Sequence, residues 1–196
     1  MIRNTENSFG SVAKWLHWLT ALWVLIAYII IYYLHWVLGT EHDLRVPLIR
    51  AHKAVGFCVL IFFVLRIYWR ITNPHPKLPS SMPKWQVKAS GATHFMLYFL
   101  LIATPLSGYL GNSVGVVVGP FLVIPPPDHV AFFVWFMDLI GVTYEQFEVP
   151  FDYFHYHLAG PLLLPIILAA HVSAALYHHY VEKDDVLKRM LPTKSG

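Results

Sequence analysis

Phe154-His155-Tyr156-His157, then LAGPLLLPIILAAHVSAALY over residues 158–177, then His178-His179-Tyr180: the reading of this stretch decides the fold. Its apolar middle carries no formal charge and is long enough for a helix that crosses a hydrocarbon core of about 30 Å. At about 1.5 Å and 100° per residue, the fourteen steps from His157 to His171 give roughly 21 Å of rise and end about 40° from a common face. One helix then holds two imidazoles at two depths. A histidine inside a membrane span is costly unless it is paired or coordinated, so the pattern asks for ligands at two levels. His155 competes with His157 for the outer level, but only His157 matches the face of His171 well and stands fourteen residues from it.

The rest of the chain fits the same setting. Of 196 residues, 57% are apolar and 13% charged, which excludes an ordinary water-soluble domain and predicts a single membrane domain over 1–196. One cysteine, Cys58, rules out an internal disulfide and any cysteine-based metal or redox centre. No basic cluster suits nucleic acid. The amino end has no small-residue cleavage site after its first apolar segment, which predicts an uncleaved span and no signal peptide.

Hydropathy predicts an all-α, four-helix transmembrane bundle with helices at about 11–38, 48–70, 90–110 and 154–180. Trp15, Trp18, Tyr32, Tyr33 and Trp36 sit toward the ends of the first helix, as interfacial aromatics do. Pro74 and Pro76 stop the second helix, and Pro105 lies within the third. Residues 112–153 contain apolar pieces too short to span, broken by Pro125, Pro126 and Pro127. They read as an outer loop resting partly in the interface, with a short helix near 130–140.

Charge sets the orientation. Arg3, Lys14, Arg66, Arg70, Lys77, Lys84, Lys88, Lys183, Lys188, Arg189 and Lys194 fall on one side, and only Arg45, Arg50 and Lys53 on the other. The positive-inside rule then puts both termini in the cytoplasm and requires an even number of spans.

With that topology, His17 and His171 share the inner half, and His52 and His157 the outer half. Two imidazoles at matched depth on different helices are what a six-coordinate haem requires. A single buried histidine is more often a hydrogen-bonded core residue, but four at compatible depths favour ligation. His35, His42, His75 and His129 fall at helix ends or in loops and read as interface or solvent residues. Arg50 and Lys53 beside His52 suit either haem propionates or the headgroup interface, and Arg66 and Arg70 read as snorkelling cations.

The runs AKWLHWLTALWV (13–24), AHKAVGF (51–57), GATHFMLYFLLIATPLSGYL (91–110) and HVSAALYHHYVEKDDVLKRMLP (171–192) together resemble the bacterial cytochrome b561 family. That family consists of small di-haem proteins of the cytoplasmic (inner) membrane. The resemblance covers the chain except residues 112 to about 152. It implies two haem b groups, one on His17 and His171 and the other on His52 and His157. It also implies a quinone site, for ubiquinone or menaquinone, at His94 and His178. One family member oxidises superoxide and passes the electrons to ubiquinone, so the resemblance extends to a superoxide:ubiquinone oxidoreductase. The expected partners are membrane lipid, a quinone, and a small-anion or periplasmic protein donor, with no nucleic acid.

Two other readings stay open on sequence alone. One is a cytochrome b membrane-anchor subunit that relays electrons for a larger dehydrogenase complex, with the outer loop as its docking surface. The other is a transporter that uses buried histidines as proton relays.

Overall fold

A computed structural model describes residues 1–39, 42–79, 82–120 and 122–192; Lys194, counted among the inner basic residues, lies outside the described residues. Four segments are long and apolar enough to cross a membrane: α1 (Ser11–Trp36), α2 (Arg45–Thr72), α3 (Lys84–Leu110) and a fourth span, Tyr144–Glu182.

The bundle is apolar outside as well as inside, as a helix in lipid must be. On α1, the exposed side chains Trp15, Trp18, Leu22, Leu25, Ile29, Tyr33 and Trp36 recur every three or four residues and form one lipid-facing stripe. The opposite face buries Thr20, Val24 and Leu34. Val24 packs with Val59 and Phe63 of α2 and Leu101 of α3. A second cluster joins Leu97 and Leu100 of α3 to Ala159 and Leu164 of the fourth span. Leu100 and Ala159 are both 0% exposed.

The amino-terminal segment, the α2–α3 connector and the carboxyl tail meet on one side of the bundle. The Asn4 amide donates to the Pro74 carbonyl at 3.1 Å, and the Lys77 ammonium lies 2.6 Å from the Glu6 carboxylate. Arg189 donates to the Lys77 carbonyl at 2.7 Å, and Trp18 Nε1 to the Met190 carbonyl at 2.9 Å. These bonds hold both ends of the described chain on one face, which four crossings require and five would forbid.

The region between α3 and the fourth span is more ordered than a loop. The β-branched runs Val116–Val118 (β1) and Leu122–Ile124 (β2) pair antiparallel, Val116 opposite Ile124, across a turn in which Gly119 takes φ 56°. The all-α expectation therefore needs this small hairpin added. A short helix, α4 (Ala131–Ile140), follows where one was expected.

The fourth span begins at Tyr144, ahead of the expected residue 154. Thr143 and Gln146 form a reciprocal capping box there: the Gln146 N–H donates to Thr143 Oγ1 at 3.4 Å, and the Thr143 N–H to Gln146 Oε1 at 3.0 Å. The span is not one uniform helix. It runs as α5 (Tyr144–Tyr153), a π-helical stretch (Phe154–Leu163), α6 (Leu164–Tyr177) and a π-turn (His178–Glu182). Pro161 and Pro165 lack the N–H that a regular ladder needs. In the wider register the Leu164 N–H reaches the Ala159 carbonyl, and the next bond, from residue 165 to Gly160, has no donor because residue 165 is proline. The Tyr28 hydroxyl of α1 donates to that Gly160 carbonyl at 2.7 Å, so a neighbouring helix satisfies the orphan.

Candidate cofactor sites

The inner half of the bundle gathers three imidazoles from three helices. His17 of α1 and His171 of α6 have ring centroids 6.2 Å apart, and His94 of α3 lies 5.4 Å from His171, edge to face. His94 Nδ1 is 2.9 Å from the Ser90 carbonyl one turn back, which anchors that ring to its own helix. His17 is different: its buried Nδ1 finds no hydrogen-bond partner among the described residues. Arg66 of α2 is half-buried, and Arg70 lies with its guanidinium 5.6 Å from the Tyr98 ring.

In the outer half, the ring of His52 faces His155, with centroids 6.2 Å apart. His52 Nδ1 lies 3.1 Å from the Ala27 carbonyl of α1, and His155 Nδ1 lies 2.7 Å from the Thr104 carbonyl of α3. Each ring thus donates its Nδ1–H to a backbone oxygen, leaving Nε2 as the free lone pair. A backbone acceptor of this kind fixes the tautomer and orientation of metal-binding histidines. Gly108 supplies the room for His155: a Cβ at that position would stand 2.6 Å from Cε1 of the ring. Gly111 likewise lets Asp152 approach, since a Cβ there would lie 2.5 Å from the Asp152 nitrogen. A cavity of about 240 Å³ opens beside this pair, walled by His52, Gly56, Pro105, Gly108 and His155 and covered by Val116 and Ile124 of the hairpin.

His157, expected opposite His52, is not brought there. It is exposed and lies beside Tyr153 and Tyr156, ring centroids 5.1 and 6.1 Å away. The π-helical stretch is the reason. With roughly 4.4 residues per turn it advances about 82° per residue, so His155 returns to the face of His171 while His157 ends about half a turn away. An expectation built on 100° per residue picks the wrong one of two neighbouring rings.

Lys53 is not a free cation beside His52 either. Its ammonium donates to Asn112 Oδ1 at 3.2 Å and to the Val114 carbonyl, tying α2 to the start of the outer region. Arg50 is exposed. His178 pairs with Asp184, and no ring contact or hydrogen bond joins it to His94 among the described residues. Asp184 did not stand out in the sequence, and His155 stood there only as the competitor of His157. The HHYVEKDD run carries no standard signature for such a pair, and the signal for His155 lay in the two prolines that displace the helical register.

What each pair can hold follows from ligand number. Among the described residues no group of three or more His, Cys, Asp or Glu side chains converges as a metal site. A pair of imidazoles supplies two ligands, so His17 with His171 and His52 with His155 would each hold a group that brings its other ligands with it, as haem does, and that would supply one-electron exchange. A ligating nitrogen lies roughly 2 Å from a first-row metal and about 1 Å from its own ring centre, so two rings sharing one metal would have centroids about 6 Å apart. Both the His17–His171 and His52–His155 separations fit that value, and the orphan Nδ1 of His17 is consistent with a group beyond the chain completing the inner site.

The family model for prokaryotic cytochrome b561 matches residues 8–193. Cytochrome b561 homolog 1 of Escherichia coli (strain K12) is 32% identical over 197 residues, covering 96% of this chain and 99% of the relative. Cytochrome b561 homolog 2 of the same organism is 30% identical over 200 residues, covering 98% and 96%. A protein named probable superoxide oxidase CybB, from Yersinia pestis, is 28% identical over 185 residues, covering 92% and 94%.

Proposed function

Because this chain belongs to the prokaryotic cytochrome b561 family of haem-binding membrane electron-transfer proteins, we propose that it carries two haem b groups and links an outer one-electron donor to the quinone pool. His17 and His171 hold the inner haem, and His52 and His155 the outer. The observation that carries this reading is the repeated 6.2 Å pairing of imidazoles from different helices, at two levels of one bundle. Bound haem supplies reversible one-electron exchange, and two protein ligands per iron favour electron transfer over oxygen binding.

The chain's own residues set the conditions for that exchange. The Ala27 and Thr104 carbonyls orient the outer ligands, the apolar walls and the hairpin limit water, and Gly108 admits the ring of His155. Ten of the thirteen described basic residues lie with the joined amino segment and tail, so that side is cytoplasmic and the protein is a multi-pass protein of the inner membrane. His94 and His178, at the inner ends of their helices, serve a quinone that enters from the bilayer. The similarity to a probable superoxide oxidase makes superoxide the first donor to try.

The exposed apolar side of α4, with Phe132, Trp135 and Leu139, favours a second reading as the anchor of a larger dehydrogenase. Stable co-purification with a periplasmic partner decides for that rival.

The lead reading is tested on purified protein by the haem-to-protein ratio and a reduced-minus-oxidised spectrum, expected to show two low-spin haems per chain. Superoxide should then reduce the haems, and added quinone reoxidise them. One haem per chain, or none, overturns the di-haem assignment. Failure of quinone to reoxidise the haems overturns the link to the pool.

A further inference from the structure

Where the fourth span ends, the chain builds a second buried polar device outside the two ligand pairs. His178 Nδ1 stands 2.6 Å from Asp184 Oδ2, and the two side chains are only 12% and 17% exposed. So short a contact between imidazole and carboxylate is a charge-assisted hydrogen bond. The backbone folds back to make it. Lys183 takes φ 56°, the one non-glycine residue in the left-handed region among those described, and the Asp184 N–H bonds to the His178 carbonyl at 3.1 Å. The other carboxylate oxygen accepts the Val186 N–H at 2.9 Å, so Asp184 is fixed from both sides. A helix can end on a left-handed residue alone; returning a carboxylate to a ring within the same turn is an additional construction.

We propose that Asp184 is the positioning residue for proton delivery to the quinone, acting through His178. This rests on the reading that the inner face reduces a quinone. The carboxylate accepts the Nδ1–H of His178, fixes the tautomer, and presents Nε2 to the quinone oxygen. In the protonated ring, Nε2–H gives its proton to that oxygen, the N–H bond breaks and an O–H bond forms. Asp184 keeps a negative charge beside the ring until then. Two electrons and two protons convert the quinone to the quinol. The electrons come from two outer one-electron donors, each oxidised once, as two superoxide ions are to two molecules of oxygen. The second proton, taken up by the quinone's other oxygen, comes from the aqueous inner side, which also recharges Nε2.

The experiment compares two oxidants on the reduced holoprotein: a short-chain quinone, which needs protons, and ferricyanide, which takes an electron alone. Asp184→Asn keeps the size of the side chain and an oxygen for the Nδ1–H but removes the charge; Asp184→Glu restores it. Asp184→Asn and His178→Ala should each slow haem reoxidation by quinone about tenfold or more, at unchanged haem content and unchanged ferricyanide rate, with Asp184→Glu regaining part of the loss. Slow quinone reaction in His178→Ala with a wild-type rate in Asp184→Asn overturns the role of Asp184 and leaves the quinone reading standing. A wild-type quinone rate in His178→Ala overturns both. Equal slowing with both oxidants, or loss of haem, means a structural role and overturns the proposal.

Discussion

His155 and His157 are the same side chain two positions apart, and what separates them is the rotation accumulated before His171. The ring that meets His52 also has the Thr104 carbonyl behind it, whereas His157 has only tyrosine rings beside it. His155→Ala should therefore remove one haem and His157→Ala neither, read as the haem-to-protein ratio. His17→Ala or His171→Ala should each remove the other haem. The opposite outcome for the 155 and 157 variants would return the fourth span to a regular helix. Tyr28 supports the same register from α1: Tyr28→Phe leaves the Gly160 carbonyl without its donor and should cost about 1–3 kcal/mol. Thermal unfolding in detergent measures that loss, and an unchanged midpoint would mean that the carbonyl has found another donor.

Among the elements, α1, α2 and α3 were legible because each is an uninterrupted apolar run of spanning length, and composition alone sets such a helix in lipid. The inner ring pair could be read as well, since His17 lies on a regular helix and His171 at the centre of the fourth span's apolar run. The early start of the fourth span was written in Thr143-Tyr-Glu-Gln146, but Pro150 and the acidic residues nearby masked it as loop. The hairpin was hidden for another reason: its two three-residue strands are shorter than any periodicity that could be counted. The ring opposite His52 was misread because sequence spacing becomes an angle only when the helix type is known. The contact of α3 with that ring depends on a missing side chain, which yields a sharp expectation. Gly108→Val should push the ring of His155 from its place and remove the outer haem while the inner haem stays, as spectra of the purified variant would record. Retention of both haems would mean that α3 can move away at little cost.

For the whole molecule, the proposed orientation rests on the uneven division of basic residues, while hydrogen bonds bring the amino segment, the α2–α3 connector and the tail to one face. A reporter active only outside the cytoplasm should work when inserted near Asp43 or Pro126 and fail near Pro79. Activity at Pro79 would invert the protein and exchange the faces assigned to the donor and the quinone. Lys53 is held by two neutral oxygens, Asn112 Oδ1 and the Val114 carbonyl, which fix its charge in place without cancelling it. Long-range attraction of a small anion falls to Lys53, Arg50 and Arg45, opposed by the acids of the 112–153 region.

The π-helical stretch also bears on how the chain tolerates insertions and deletions. Ten residues at roughly 4.4 per turn cover about as much rotation as eight at 3.6, so the stretch takes up a surplus of two residues. The Phe-His-Tyr-His sequence at 154–157 contains such a surplus in its own repeat: cutting out His155-Tyr156 or Tyr156-His157 gives the same shorter polypeptide. In that product a single histidine precedes the one at 171 by fourteen positions, the interval at which an ordinary α-helix brings two rings nearly to one face. The two-residue excision should thus keep both haems, whereas removal of Leu162 alone, which leaves histidines thirteen and fifteen positions before His171 and none at fourteen or sixteen, should lose the outer one. A haem count on the two shortened proteins would show whether this span is edited in pairs.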